Sequence, residues 1–200
     1  LDSVPRIREK AEVLPLGLDL RAHDAQRPPT RGSRPPAIVW NHRWEHDKNP
    51  DAFFDAVATL AVEGLDFEVV VAGQAFREVP ASILRAEELL GDRLVHCGEP
   101  KDRNEYAVLL ASADVAVSTA LNEFFGLAMI EAAYAGCYPL VPDRLAYPEL
   151  YPAEFRYEDQ ERLVAGLRSL VQKRPPAGQG RTLAERFTFE RLTPAYTRLL

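Results

Sequence analysis

Residues 114–142 read DVAVSTALNEFFGLAMIEAAYAGCYPLVP. The stretch begins with a short apolar run (114–120), passes into a helical pattern (125–135) and returns to a second apolar run (137–142). Neither run alternates apolar with polar residues, as expected of strands covered on both faces in a parallel sheet. Upstream, 103–113 has helical spacing, RLVHCG (93–98) reads as a strand, 80–90 as a helix and FEVVVAG (67–73) as a strand. Residues 50–63 place Phe53, Phe54, Val57 and Leu60 on one helical side, and AIVW (37–40) is a short strand. The last forty residues read as mainly helical. About five alternations of strand and helix predict a doubly wound α/β domain with a Rossmann-like parallel sheet. Ligands of such sheets bind at the carboxyl ends of the strands, so 41–50, 73–80, 97–103 and 119–126 are the candidate site loops.

The chain has 200 residues, 46% of them apolar, enough for one domain with its own core. No apolar run approaches the roughly 20 residues of a membrane-spanning helix. The opening LDSVPRIREKAEV is charged and helical in character, unlike a secretory leader, and the missing initiator Met points to a fragment. Residues 23–36, HDAQRPPTRGSRPP, read as a linker or exposed loop. Two isolated cysteines, Cys97 and Cys137, frame no disulfide scaffold, which makes the cytoplasm the expected compartment. A net charge of −6 suits bulk gripping of a nucleic-acid backbone poorly. Any nucleic-acid partner is expected to be held by another part of the protein.

In the loop NHRWEHDKNP (41–50), Arg43 and Lys48 suit a diphosphate, which Arg can fork and Lys can meet as a point charge. Taken alone, the loop is better explained by solvated charges paired with Glu45 and Asp47. His42 and His46 invite a metal reading, but no cysteine or His-Glu-x-x-His pattern accompanies them, so no metal is expected. The 119–126 loop leads into a helix start, where free amides around Phe125, Gly126 and Leu127 would meet an anion. Glu123 sits at its mouth, with Asn122 beside it. Glu131 lies roughly 12 Å further along if every residue between is helical, a span matching an elongated ligand. Glu123 is equally well explained as a favourable first-turn charge. Glu131 is not so easily explained on a helix otherwise apolar enough to be buried.

Glu123 and Glu131, with seven residues between them and Phe-Gly-Leu inside, resemble the E-x7-E motif of the family-4 retaining glycosyltransferases of GT-B architecture. The resemblance covers almost the whole chain. VLPLGLDL (13–20) is similar to the segment leading into the nucleotide-binding half, with Leu16 where Asn is usual. Arg43 and Lys48 have the spacing of the diphosphate-binding pair. Residues 96–120 resemble the nucleobase loop with its following helix and strand, and ERFTFERLTPAYTRLL (185–200) the closing helix. VWNHRWEHDKNPDAFF (39–54), residues 120–140 and PDRLAYPELYP (142–152) resemble more closely the group that includes tRNA-queuosine α-mannosyltransferases. The common Gly-Gly before a Glu is replaced by Leu145-Ala146-Tyr147-Pro148-Glu149.

The resemblance implies a donor-binding half comprising a lead-in (1–36), a Rossmann-like unit (37–180) and a closing helix (181–200). An N-terminal acceptor domain would lie outside this chain, and tRNA would be held through that domain. Arg43 and Lys48 would stabilise the leaving diphosphate, helped by the amides of Phe125, Gly126 and Leu127. Glu123 would contact the donor sugar, and Glu131 the ribose. Gly98, Glu99, Pro100 and Lys101 would border the base, and His42 would meet phosphate or sugar or serve as a core histidine. The implied donor is GDP-mannose, with no cofactor, no metal and no assigned protein nucleophile. The alternatives are a UDP-sugar transferase with another acceptor, a sugar-nucleotide epimerase and a non-catalytic nucleotide-binding module.

Overall fold

A computed structural model describes residues 3–26, 34–75 and 77–199. Part of the Pro-rich stretch, 27–33, therefore lies outside the described residues. Helix α1 (Ser3–Lys10) leads the chain. Strand β1 (Ala37–Trp40) is followed by α2 (Pro50–Val62), and β2 (Glu68–Ala72) by α3 (Ala81–Leu84) and α4 (Ala86–Leu90). Strand β3 (Leu94–Gly98) precedes α5 (Arg103–Ser112), and β4 (Val115–Val117) precedes α6 (Leu127–Tyr134). Strand β5 (Tyr138–Pro142) is followed by α7 (Tyr147–Leu150), and β6 (Arg156–Tyr157) by α8 (Gln160–Gln172). Helices α9 (Arg181–Ala184) and α10 (Phe189–Leu199) close the chain.

The six strands form one sheet in the order β3-β2-β1-β4-β5-β6, and every pair is parallel. The strand order reverses between β1 and β4. There the loops leaving the two strands diverge and open a crevice at the carboxyl edge, the usual ligand position in open α/β sheets.

The apolar continuity of the strands follows from two cores, one on each face. Val39, Val70, Ala72 and Ala116 point to one face, where Leu110 of α5 and Met129 and Ile130 of α6 cover them. Their neighbours Ile38, Trp40, Val69, Val71, Val115 and Val117 point to the other, covered by Phe53 and Phe54 of α2 and Leu163 and Leu167 of α8. At the amino edge Asp114 ties β1 to β4, its Oδ2 accepting the Ala37 N–H at 2.9 Å. Arg34 and Arg174 pair with the same buried carboxylate at 3.5 and 3.4 Å.

Five details depart from the sequence reading. The helix expected over 80–90 is broken at Arg85, whose ψ of 4° leaves the helical range. The apolar run 114–120 forms a strand only to Val117, because the hydroxyls of Ser118 and Thr119 bond Tyr147 Oη (2.6 Å) and the Lys48 carbonyl (2.8 Å). The expected helix at 125–135 starts at Leu127, after Gly126 at φ 82°. Strand β6 was not anticipated; its two residues pair only with Val141 and Pro142. Residues 181–200 are not one helix: α9 and α10 are separated by a 3-10 turn and Thr188 in extended geometry. That extended break lets Leu18 of the lead-in dock, its N–H donating to Phe187 O at 2.8 Å and its carbonyl accepting from Phe189 N. Among the described residues no helix is long and apolar enough to cross a membrane.

Candidate functional site

The crevice is stitched at its base. After β1 the chain makes a short 3-10 turn ending at Asn49 in left-handed geometry (φ 49°), and Pro50 occupies the first turn of α2, where its missing N–H costs nothing. The Asp47 carbonyl accepts the N–H groups of Leu121 (2.7 Å) and Asn122 (3.2 Å) across the crevice. Thr119 Oγ1 donates to the Lys48 carbonyl and accepts from Trp40 Nε1 at 3.1 Å. The loops after β1 and β4 are thereby held in fixed register.

Lys48 crosses between them. Its Nζ lies 2.7 Å from the Asn122 carbonyl, 3.4 Å from Glu123 Oε2 and 3.2 Å from Asp47 Oδ2. Its side chain is only 9% exposed, whereas that of Arg43 is 64% exposed and pairs loosely with Glu45 at 3.8 Å. The solvated-charge reading thus describes Arg43, whereas Lys48 has the expected Asp47 partner but is buried rather than solvated. Arg43 stands outside the Lys48–Glu123 cluster, lining an adjoining cleft of about 790 Å³ with Trp44, Arg77 and Asn122.

Glu123 folds back onto the start of α6. Its Oε1 accepts the N–H groups of Phe124 (3.0 Å), Phe125 (3.3 Å) and Gly126 (2.9 Å). This corrects the expectation of free amides there: those of Phe125 and Gly126 already serve a carboxylate, and Leu127 is not among its partners. Any anion approaching that turn must share or displace Glu123. Burial raises the Glu123 pKa, but the Gly126 amide, Lys48 and the Phe125 amide outweigh it, and the net shift is downward. Gly126 is required twice over. It adopts φ 82°, and a Cβ there would sit 3.2 Å from both Tyr147 and Leu150, in a conformation that costs other residues about 1–2 kcal/mol.

His42 is buried (4% exposed) against Trp40, the ring centroids 5.3 Å apart. Burial, and then the Lys48 charge, lower its pKa to about 4, so the ring is neutral at pH 7. Its Nε2 has no hydrogen-bond partner among the described residues. Glu131, half-buried on α6, accepts a hydrogen bond from Tyr106 Oη at 3.1 Å, and burial raises its pKa. Tyr106 Oη accepts in turn from Asn41 Nδ2 at 2.9 Å, while the same amide donates to the Ala128 carbonyl at 2.8 Å.

Residues 98–101 lie on the same edge, two strands from β1. The Gly98 carbonyl accepts the Gly73 N–H at 2.9 Å, and Glu105 of α5 accepts the Lys101 backbone N–H. Glu99 and Lys101 are exposed and Pro100 is half-buried. Lys48, Asn122, Glu123, Phe125, Gly126 and His42 thus come together at the crevice, and Glu131 joins them through Tyr106 and Asn41. Arg43 and Glu99 to Lys101 flank the group. Asn41, Tyr106 and Thr119 were missed by sequence reasoning, which named Asp47 only as a charge partner in its loop. For Asn41 there was a signal, a polar residue ending the apolar run AIVW at a strand's carboxyl end. For Tyr106, a helical tyrosine 65 positions from its partner, there was none.

One buried ammonium, a neutral imidazole and two carboxylates in fixed positions suit an anionic ligand that also carries hydroxyl groups. Among the described residues, no three His, Cys, Asp or Glu side chains are grouped to hold a metal ion.

A family model described as Glycosyl transferases group 1 matches residues 24–179. The tRNA-queuosine alpha-mannosyltransferase of Drosophila melanogaster is 40% identical over 157 residues, covering 78% of this chain and 41% of that protein. The GDP-mannose-dependent alpha-(1-6)-phosphatidylinositol dimannoside mannosyltransferase of Mycobacterium tuberculosis is 32% identical over 148 residues, covering 71% of this chain and 38% of that protein. The chain therefore spans less than half the length of these curated relatives. Among solved structures, the sucrose-phosphate synthase of Thermosynechococcus elongatus superposes with a TM-score of 0.73 at 21% identity, covering 95% of this chain and 52% of that one. Anabaena HepE in complex with UDP and glucose gives 0.73 at 15% identity, covering 96% and 56%. These two share the fold. By sequence, the chain belongs to the group 1 glycosyl transferases.

Proposed function

We propose that the chain is the donor-binding half of a retaining hexosyltransferase that takes mannose from GDP-mannose, with queuosine-modified tRNA as acceptor in the cytoplasm. The observation that carries this reading is the buried Lys48 ammonium, set between Asn122 and Glu123 where the strand order reverses. The 40% identity to a tRNA-queuosine alpha-mannosyltransferase supports the choice of sugar and acceptor. The word GDP-mannose in the mycobacterial relative's name supports the donor.

In the proposed reaction the bond between the anomeric carbon and the diphosphate oxygen breaks, and negative charge collects on the departing diphosphate. Lys48, fixed in place before the reaction, stabilises that charge without reorganising. Arg43 swings from its loose contact with Glu45 to fork the same group. Glu123 faces the sugar, and Glu131 accepts ribose hydroxyls. Residues 98–101 border the base, and Asn122 and His42 line the sugar and phosphate positions. The acceptor hydroxyl, presented by an N-terminal domain that would make most tRNA contacts, bonds through its oxygen to the anomeric carbon, and its proton goes to the departing diphosphate. No protein nucleophile and no metal enters the scheme.

A thermal-shift panel of GDP-mannose, GDP, UDP-glucose, UDP-GlcNAc and UDP against this chain tests the reading. A ligand that binds only the folded form raises the melting temperature by mass action. Stabilisation by the guanine nucleotides alone is expected; a preference for UDP would overturn the donor assignment.

A further inference from the structure

The proposed ribose contact has a support of its own. A glutamate on a helix surface ordinarily samples several rotamers, and ordering such a side chain costs conformational entropy. Glu131 is spared much of that cost. Its Oε2 is held by Tyr106 Oη at 3.1 Å, and the phenol is held by Asn41 Nδ2 at 2.9 Å. The Asn41 amide is anchored by the Ala128 carbonyl at 2.8 Å, in the first turn of the helix that carries Glu131. The two N–H bonds fix the orientation of this amide, since its oxygen could not accept from the Ala128 carbonyl. They also fix the sense of the chain: Asn41 donates to Tyr106 Oη, and Tyr106 in turn donates a hydrogen bond to the carboxylate. Burial, then the Glu131 charge, push the Tyr106 pKa well above the ordinary phenol value, so that the hydrogen stays on the ring oxygen.

Resting on the donor reading above, we propose that Tyr106 and Asn41 are positioning residues. They hold one oxygen of Glu131 so that the other is preset to accept the vicinal hydroxyls of a ribose, and they thereby make the chain prefer ribonucleotides over sugars lacking those hydroxyls. Asn41 immediately precedes His42 and Arg43, so the same side chain ties the ribose end of the crevice to the loop at its phosphate end.

The experiment compares the dissociation constants of GDP and 2′,3′-dideoxy-GDP, by calorimetry, for the wild-type chain and for Tyr106→Phe, Asn41→Asp and Glu131→Ala. UDP and its dideoxy form are run alongside for the other base. The wild type is expected to favour the ribose form about tenfold or more, and Tyr106→Phe to reduce that preference to about threefold with dideoxy affinity unchanged. Unchanged dideoxy affinity also reports an intact fold. Asn41→Asp keeps the phenol but offers it an acceptor, which draws its hydrogen away from Glu131, and is expected to reduce the preference similarly. Full preference in both Tyr106→Phe and Asn41→Asp, with Glu131→Ala abolishing it, overturns the relay and leaves the ribose reading standing. Full preference in Glu131→Ala, or a wild-type chain that binds neither nucleotide, overturns the ribose reading itself.

Discussion

Replacing Lys48 by Met removes the ammonium while keeping most of the aliphatic stem, so the packing under the crevice survives. Two effects should appear, with separable sizes. In the unliganded chain the change leaves Glu123 and Asp47 without their shared cation and the Asn122 carbonyl without its donor at 2.7 Å. Breaking a fully buried pair costs about 3–5 kcal/mol. Here Glu123 keeps its three backbone amides and the Asp47 side chain is 32% exposed, so about 2–3 kcal/mol is expected. For a domain of this size that lowers the melting temperature by roughly 5–10 °C. If Lys48 also meets the donor diphosphate, the variant loses a charged hydrogen bond worth about 1.5–3 kcal/mol, or roughly 10- to 100-fold in GDP affinity. Scanning calorimetry reads the first effect, and titration calorimetry, well below either melting point, the second. A lowered melting temperature with GDP affinity within twofold of wild type would reduce Lys48 to a structural bolt and refute its role toward phosphate.

Three further variants, one of them a control, probe the scaffold of the site. His42 stays neutral in the folded chain down to about pH 4, whereas the unfolded chain takes up that proton near pH 6.5. Between those values the unfolded state binds more protons, so stability falls as pH falls, by about 2 kcal/mol from pH 7 to pH 5 for this group. Urea unfolding at the two pH values should show His42→Gln losing that part of the slope; an identical slope would contradict the burial argument. Gly126→Ala and Gly64→Ala both place a side chain at positive φ, but only at Gly126 would the new Cβ meet neighbours, two at 3.2 Å. The first should cost about 1–2 kcal/mol of backbone strain plus the crowding and the second the strain alone, so equal melting points would refute the crowding.

The parallel sheet was legible because its strands are apolar on both faces, and β1 coincides with AIVW. Two helix starts carry an aspartate that the sequence reading did not single out: Asp102 and Asp159 accept the Glu105 and Arg162 N–H groups at 2.8 and 2.9 Å, in keeping with the N-cap preference. Strand β6 could not be read, since its two residues carry no periodicity and owe their geometry to β5. At the site, spacing picked out Glu123, Glu131, Arg43 and Lys48, but burial then separated the two cations. Glu123 is three residues before Gly126, close enough to cap the turn itself, a local competition that the motif conceals. Asn41 and Tyr106 escaped because their partnership is long-range and side chain to side chain, which neither periodicity nor capping rules encode.

The measurement closest to the central claim is a crystal structure of this chain soaked with GDP-mannose. The account predicts diphosphate oxygens within hydrogen-bond distance of Lys48 Nζ, the ribose hydroxyls on Glu131 and the guanine beside residues 98–101. A nucleotide bound away from the crevice between β1 and β4, for instance in the separate cleft along the outer edge of β3 lined by Val95, His96 and Cys97, would contradict it.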